Sequence, residues 1–413
     1  MKKHLVLLCG VVYPNPSPTG KAALRYVSLL EDEYDISVIG IGKFKKNESH
    51  ITDGKQAYLI ISPRLNAEEF FIDIYKKSKN VFSKFILKLL INFFKGIGKL
   101  ESMFIFPNNL FWYEKKAYKM LEKINTEKNI DAIFTVSSPV TAHATGKRYK
   151  DKHPEIVWTT YTVDSFAAQC RSTKKYERAK KYETRLLQNA DFSLLSKEIW
   201  DNSEFLYKGF ENKFAVLNYL MPKRYISITE SNIFDSNKIN LLYSGRFYRK
   251  IRNPEFLLKI IEEAGNDIVL HLYEWSDCEE IIDEYIKRNT NIIRHEPVFN
   301  DKMPEIMESA DILVNVGNTL KEFIPSKTYE YIAVGKPIVH IYQSDYEDEI
   351  LKNYPIILQI SSKDNIENST KKLREFCREN CKKRINEKDI SNIYKNNSKI
   401  VIRNILTTSL ENR

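Results

Sequence analysis

No CxxC pair and no regular cysteine framework occur in the sequence. Its five cysteines, Cys9, Cys170, Cys278, Cys377 and Cys381, are scattered through 413 residues. An odd, unspaced set argues against a disulfide scaffold and against a zinc site, and points to a reducing compartment. No apolar run reaches the ~18 residues needed to cross a bilayer. Met1–Gly10 carries two lysines and a short apolar stretch, but Tyr13-Pro14-Asn15-Pro16 follows it where a small-residue cleavage site would stand. A buried first strand is therefore expected in place of a signal peptide. A complete GxGxxG fingerprint is missing, which argues against NAD binding. No repeat of ~20–50 residues and no long low-complexity segment occur either.

What remains is an ordinary folded composition: 43% hydrophobic and 29% charged residues. At about 100–200 residues per domain, the length suggests two or three domains. The net charge is +10 and the pI about 9.0. A basic surface attracts anions, whether nucleic acid, anionic lipid or phosphorylated small molecules.

Apolar patterning alternates strand with helix. His4–Cys9, Ile36–Ile41, Ala57–Ile61, Asp131–Val136, Ile156–Tyr161 and Phe192–Leu195 read as strands of a first parallel sheet. Ala23, Tyr26, Val27 and Leu30 share one helical face behind the first of them. Ile239–Tyr243, Ile268–Tyr273, Asn291–Arg294, Ile312–Asn315 and Pro337–Ile341 repeat the pattern. The expected fold class is α/β, with two Rossmann-like domains facing a central cleft. The first spans 1–218, a polar linker 219–237, and the second 238–382. A helical tail, 383–413, is expected to pack back on the first domain. Ligands of such sheets sit at strand carboxyl ends, beside helix N-termini.

The most informative stretch is Lys321-Glu322-Phe323-Ile324-Pro325-Ser326-Lys327-Thr328-Tyr329-Glu330-Tyr331, followed by Gly335-Lys336-Pro337-Ile338-Val339. A helix beginning near Ser326, with Ser326 as its N-cap, would present free amides to a diphosphate. Glu322 and Glu330 flank that anion site and can accept hydrogen bonds from hydroxyls. A nucleotide sugar has this form: sugar, diphosphate, ribose. Upstream, Gly245 and Arg246 follow a strand, and Lys250 and Arg252 come within seven residues. Cations there can neutralise a leaving diphosphate.

These motifs resemble those of the large retaining glycosyltransferase family with E-x7-E spacing and the GT-B fold (the family-4-like enzymes of bacterial polysaccharide synthesis). PSKTYEYIAVGKPIV is similar to that family's PSKLYEYLAAGKPVV. The resemblance implies that Glu322 contacts donor sugar hydroxyls and Glu330 the ribose. It implies that the amides of Ile324 to Lys327, Ser326 included, face the diphosphate. Arg246 matches the family's first phosphate cation; Lys250 and Arg252 flank the position of the second, and either can supply it. In the first half, Gly20 and Lys21 match the family's first loop. Ser137-Ser138-Pro139-Val-Thr-Ala-His143 is similar to TSPPFSAH, and Tyr161-Thr162-Val163-Asp164-Ser165-Phe166 to FRDPW in part. His143 and Asp164 are thereby implied as groups facing donor sugar or acceptor, while Tyr182–Asp191 reads as packing. The implied catalytic set is Glu322, His143 and Arg246.

Phe82–Lys99 contains no acidic residue. On a helical wheel, its apolar residues fill one broad face, and Lys84, Lys88, Lys95 and Lys99 cluster within roughly 60° of each other. With Lys76, Lys77 and Lys79 before it, segment 76–100 suits the surface of an anionic membrane. A core-facing helix with a solvated lysine stripe is the plain alternative. The expectation is thus a cytoplasmic enzyme, peripheral on the inner face of the plasma membrane. It transfers a sugar from a nucleotide-sugar donor, UDP favoured, to a glycan or lipid-linked acceptor in capsule, O-antigen or exopolysaccharide synthesis. No metal, no cofactor and no nucleic acid are expected. The alternatives are a nucleotide-sugar 2-epimerase and a basic nucleic-acid-binding protein.

Overall fold

The computed structural model describes residues 2–13, 16–42, 49–52, 55–61, 67–68, 70–72, 74–75, 78, 80–107, 111–171, 173–224, 233–296, 298, 302–319, 325–344 and 349–411. The chain forms two compact units: Met1–Leu220 with Lys399–Arg413, and Met221–Ser398.

The first unit is built on eight strands: β1 (Lys3–Tyr13), β2 (Tyr34–Gly42), β3 (Ser49–Thr52), β4 (Lys55–Ile61), β5 (Ala132–Ser137), β6 (Val157–Thr162), β7 (Phe192–Leu195) and β8 (Phe214–Val216). Their order is β3-β4-β2-β1-β5-β6-β7-β8. All neighbours are parallel except the β3–β4 hairpin at the edge. A parallel sheet is covered on both faces, so its strands are continuous apolar runs. Along β1, Leu5, Leu7 and Cys9 enter one core with Ala23 and Val27 of the helix Pro18–Ser28. Val6 and Leu8 point the other way, onto Tyr113, Leu121, Tyr149 and Trp158. The helix Lys399–Glu411 supplies Ile402, Leu406 and Leu410 to the first of these cores. Thr159 donates to the carbonyl of Ser409 at 2.7 Å. Residues 383–398 of the expected tail belong to the second unit, and only the part from Lys399 onward to the first.

The second unit holds six parallel strands: β9 (Ile239–Phe247), β10 (Ile268–Ser276), β11 (Ile292–Arg294), β12 (Ile312–Val316), β13 (Ile338–Tyr342) and β14 (Ile357–Ser361). Their order is β11-β10-β9-β12-β13-β14. Leu241 and Tyr243 of β9 pack with helices Glu255–Glu262 and Ile366–Asn380. Leu242 packs oppositely with Met307, Tyr331 and Ile390. The sequence pattern places the end of this strand at Tyr243, but β9 continues through Phe247. The cause is β10, which pairs with it residue by residue as far as Ser276 opposite Phe247. Gly245 and Arg246 therefore lie on a strand end and not in a loop.

In both sheets the chain starts in the middle, builds outward to one side, then returns to build the other. The switch falls between β1 and β5 in one unit and between β9 and β12 in the other, and ligands of doubly wound sheets bind at the carboxyl end of such a junction.

Candidate functional site

Beside the β9–β12 junction stands the helix Ser326–Val334. Pro325, at φ −59°, occupies its cap position, and no side chain caps it. Ser326 is thus the first helical residue and not the N-cap expected from sequence. Proline presets the entry angle and has no amide to satisfy. The helix stops at Gly335, whose φ of +81° is the left-handed conformation that glycine adopts without cost. Ser326, Lys327 and Glu330 lie on its half-exposed side, whereas Thr328, Tyr329 and Tyr331 are buried.

Tyr331 fastens this helix to the strand. Its hydroxyl accepts from the amide of Ser244 at 2.8 Å and donates to the Ser244 carbonyl at 3.1 Å. Burial pushes its pKa upward, so the phenol stays protonated and keeps donating. The helix N-terminus is consequently fixed next to Gly245.

Two arginines converge at the same strand end. Arg246 is exposed, its guanidinium 5.1 Å from the centre of the Tyr248 ring. Arg252 folds back onto β9: Nε donates to Asn318 Oδ1 at 3.0 Å and Nη1 to the Arg246 carbonyl at 3.1 Å. Asn318 follows β12, so Arg252 bridges both sides of the junction. An antiparallel bridge between Tyr248 and Arg252 closes the turn that makes this possible. Neither arginine has an ion-pair partner among the described residues. Lys250 lies exposed at the tip of that turn. Arg249 is turned aside to Glu280 at 3.2 Å. On the helix, Lys327 Nζ meets the Glu330 carboxylate at 2.5 Å. Glu322 and Ile324 fall outside the described residues.

Adjacent to Gly245 in the sheet register is Glu274, whose carboxylate is fully buried and 2.7 Å from Arg294 Nη2. Desolvation raises its pKa, while Arg294 opposes that shift. Sequence reasoning gave no role to Glu274, Tyr331 or Asn318. A glutamate inside the apolar run of β10 was the available signal for the first. The others are positioned by tertiary contacts.

The β1–β5 junction of the first unit is filled differently. Ser17 caps the helix Pro18–Ser28 by accepting from the Gly20 amide at 3.1 Å. Gly20 is buried, and a Cβ there would lie 2.2 Å from the Val11 carbonyl oxygen. It is a packing glycine, which lets the helix sit against β1, a role that its match to the family's first loop did not imply. Lys21, beside it, is half-buried.

His143 also departs from expectation. It lies in the first turn of the helix Thr141–Lys152 and has no exposed surface. Thr135 Oγ1 is 2.8 Å from its Nδ1 and Thr162 Oγ1 3.4 Å from its Nε2. Desolvation lowers its pKa to about 3, so the ring is neutral at any physiological pH. This is a core histidine tying β5 to β6.

Asp164 does stand at the carboxyl end of β6. Thr19 hydrogen-bonds its side chain, and Ser137 Oγ donates to its carbonyl at 3.1 Å. Burial pushes its pKa up to about 6. The loop it occupies is anchored by Glu183, fully buried, which accepts from Ser165 Oγ at 2.7 Å, Phe166 N at 2.8 Å and Ala167 N at 2.9 Å.

No family model and no curated protein matches the chain. Solved structures do. A sucrose-phosphate synthase from Thermosynechococcus elongatus superposes with a TM-score of 0.67 at 11% identity, covering 98% of each chain. The apo form of the lipopolysaccharide outer core galactosyltransferase WaaB gives 0.61 at 11% identity, over 98% of this chain and 99% of that one. A trehalose-6-phosphate protein from E. coli, bound with UDP-2-fluoro glucose, gives 0.63 at 10% identity over 98% of each. Together with the two doubly wound sheets, these likenesses identify the fold as that of the GT-B glycosyltransferases.

Proposed function

We propose that this chain is a glycosyltransferase whose second unit binds a nucleotide-sugar donor at the β9–β12 junction. One observation carries the reading: two arginines without ion-pair partners among the described residues and a helix start without a side-chain cap converge on one strand end. A diphosphate is the group such an arrangement stabilises, by charge-assisted hydrogen bonds and by amides at the positive end of the helix dipole. Several structural neighbours are named as sugar transferases or synthases, and one holds a UDP-sugar analogue.

In this reading Arg252 is the second phosphate cation and Arg246 the first. Arg252 is held in place by Asn318, which gives it the smaller ordering cost; Lys250 is a free chain at a turn tip. The amides of Ser326 and Lys327, with that of Ile324, face the diphosphate. Glu330 accepts from the ribose hydroxyls and Lys327 holds its carboxylate in place; Glu322 takes the sugar hydroxyls. As the bond from the anomeric carbon to the diphosphate breaks, the negative charge on the leaving oxygen grows, and these cations and amides meet it without reorganising. The scheme needs no metal. The acceptor hydroxyl attacks from the same face, giving retention. Asp164, whose carboxyl pKa is pushed up by burial, is the first unit's candidate for holding an acceptor hydroxyl. A UDP-sugar donor, a lipid-linked glycan acceptor and a place in capsule, O-antigen or exopolysaccharide assembly complete the proposal.

The test is calorimetric titration with UDP and UDP-sugars, in the presence and absence of EDTA. Binding insensitive to EDTA and lost in Arg252→Ala supports the reading. Full affinity in that variant, in Arg246→Ala and in Glu330→Ala would dismiss it. Mass spectrometry of reactions with a hexose-bearing lipid then reads transfer, and NMR of the product reads its anomeric configuration.

A further inference from the structure

The helix Val81–Phe104 turns the wrong face to the protein. It starts cleanly, with Asn80 Oδ1 accepting from the amides of Phe82 and Ser83. Its inward line is narrow: Leu87 is 9% and Ile91 8% exposed, with Gly98 beneath them. The opposite line carries the larger side chains. Phe82 is 70%, Phe85 60%, Leu89 54% and Phe93 61% exposed. At 100° per residue these centre roughly 175° from the buried line. A core-facing helix would have the reverse arrangement. Phe71 stacks on Phe94 at 5.7 Å, and Phe70, edge-on to Phe71, is itself exposed.

Lys84, Lys88 and Lys95 run along one flank, with Lys88 and Lys95 exposed. The sequence has no Asp or Glu between Ile74 and Leu100. A second copy of this chain would bring an equally basic flank against this one, and like charges would face each other. Water alone leaves an uncovered apolar ridge about 17 Å long from Phe82 to Phe93, at 1.5 Å per residue. An anionic lipid surface matches both parts. Its acyl region takes the aromatic ridge and its headgroups the lysines.

We infer that the helix Val81–Phe104 lies in the plane of an anionic membrane. Phe82, Phe85, Leu89 and Phe93 enter the acyl boundary, while Lys88 and Lys95 sit at the headgroups. The inference stands on this helix alone, independently of the donor site.

Vesicle flotation of the full chain tests it, with phosphatidylglycerol-containing vesicles set against phosphatidylcholine alone. The expected result is at least about tenfold more floating protein on the anionic vesicles, falling as salt is raised. Phe85→Ser with Phe93→Ser should abolish flotation, and Lys88→Glu with Lys95→Glu should reduce it to the neutral-vesicle level. Both pairs are exposed, so the fold should survive, and an unchanged response to UDP reports that it does. Arg252→Ala should float like the parent, which separates this inference from the donor reading. Three outcomes overturn it: no flotation of the parent, flotation indifferent to both variants, or a parental dimer that the phenylalanine pair converts to monomer in light scattering.

Discussion

The two sheets share a strand order around their central strands, yet their junctions are finished in opposite ways. In the first unit the β1–β5 end is closed by packing. Gly20 admits a helix onto the Val11 carbonyl, Ser17 uses up a helix amide, and His143 is sealed between two threonines. In the second unit the described residues at the β9–β12 end are arranged otherwise. Its helix has no side-chain cap, Gly245 has no backbone atom pressed against it, and two arginines converge there. One architecture thus carries a packed strand end in one place and, on the function proposed above, an anion-binding end in the other. The difference comes from side chains in fewer than a dozen positions. A capped helix start has less to offer a phosphate, because the cap already satisfies its amides.

The largest expected effect lies at the β9–β12 junction. Replacing both Arg246 and Arg252 by Ala should cost about 3–6 kcal/mol of UDP-sugar binding, taking ~1.5–3 kcal/mol for each charged hydrogen-bonding group. Isothermal titration at two salt concentrations checks it. Unchanged affinity would leave the two junctions chemically alike. Next is Gly20→Ala at the closed one. The added methyl collides with a backbone oxygen, so stability should fall by about 1–3 kcal/mol while UDP affinity stays the same. Urea denaturation monitors the first quantity and titration the second.

Asp164 offers a pH-resolved test of the same platform. Its carboxyl is raised from 3.8 to about 6 by burial. The folded state therefore favours the proton more than the unfolded state does. Its contribution to stability is full below about pH 4 and is lost as pH rises through 6. Asp164→Asn should consequently gain on the order of 1–3 kcal/mol at neutral pH and nothing at pH 4. Parallel melting curves across that range decide it. The smallest effect is expected for Gly245→Ala. Its Cβ would meet the end of the Tyr243 side chain, the hydroxyl at 3.2 Å and ring carbons at 3.4 and 3.7 Å. Stability should change by less than about 1 kcal/mol. A large loss would mean that this junction, too, is closed by packing.

Much of the scaffold was legible in the residues. Long β-branched and leucine-rich runs located the central strands, because a strand buried on both faces has almost no other composition open to it. Shorter members escaped. Phe214–Val216 and Ser49–Thr52 are three or four residues each and owe their conformation to pairing partners. The reach of β9 through Arg246 was hidden for the same reason, since glycine followed by basic residues reads as a turn unless β10 is known to pair there. At the β9–β12 junction, the types and spacing of Arg246, Arg252, Lys327 and Glu330 were visible. The bond from Tyr331 to Ser244 joins residues 87 positions apart, which no local pattern encodes. His143 misled because a histidine after a strand looks the same in sequence whether it points to solvent or inward. Only the threonines on the neighbouring strands decide.

The helix Lys399–Glu411 belongs to the first unit although all of the second unit precedes it in the chain. Arg403 pairs with Glu33 at 2.7 Å, and Ile402 and Leu406 lie in the core behind β1. During synthesis, all of residues 221–398 are made before that core has its last helix. The amino-terminal half emerges first and finishes last. The groove that Ile402, Leu406 and Leu410 fill stays uncovered until residues 399–411 have been made.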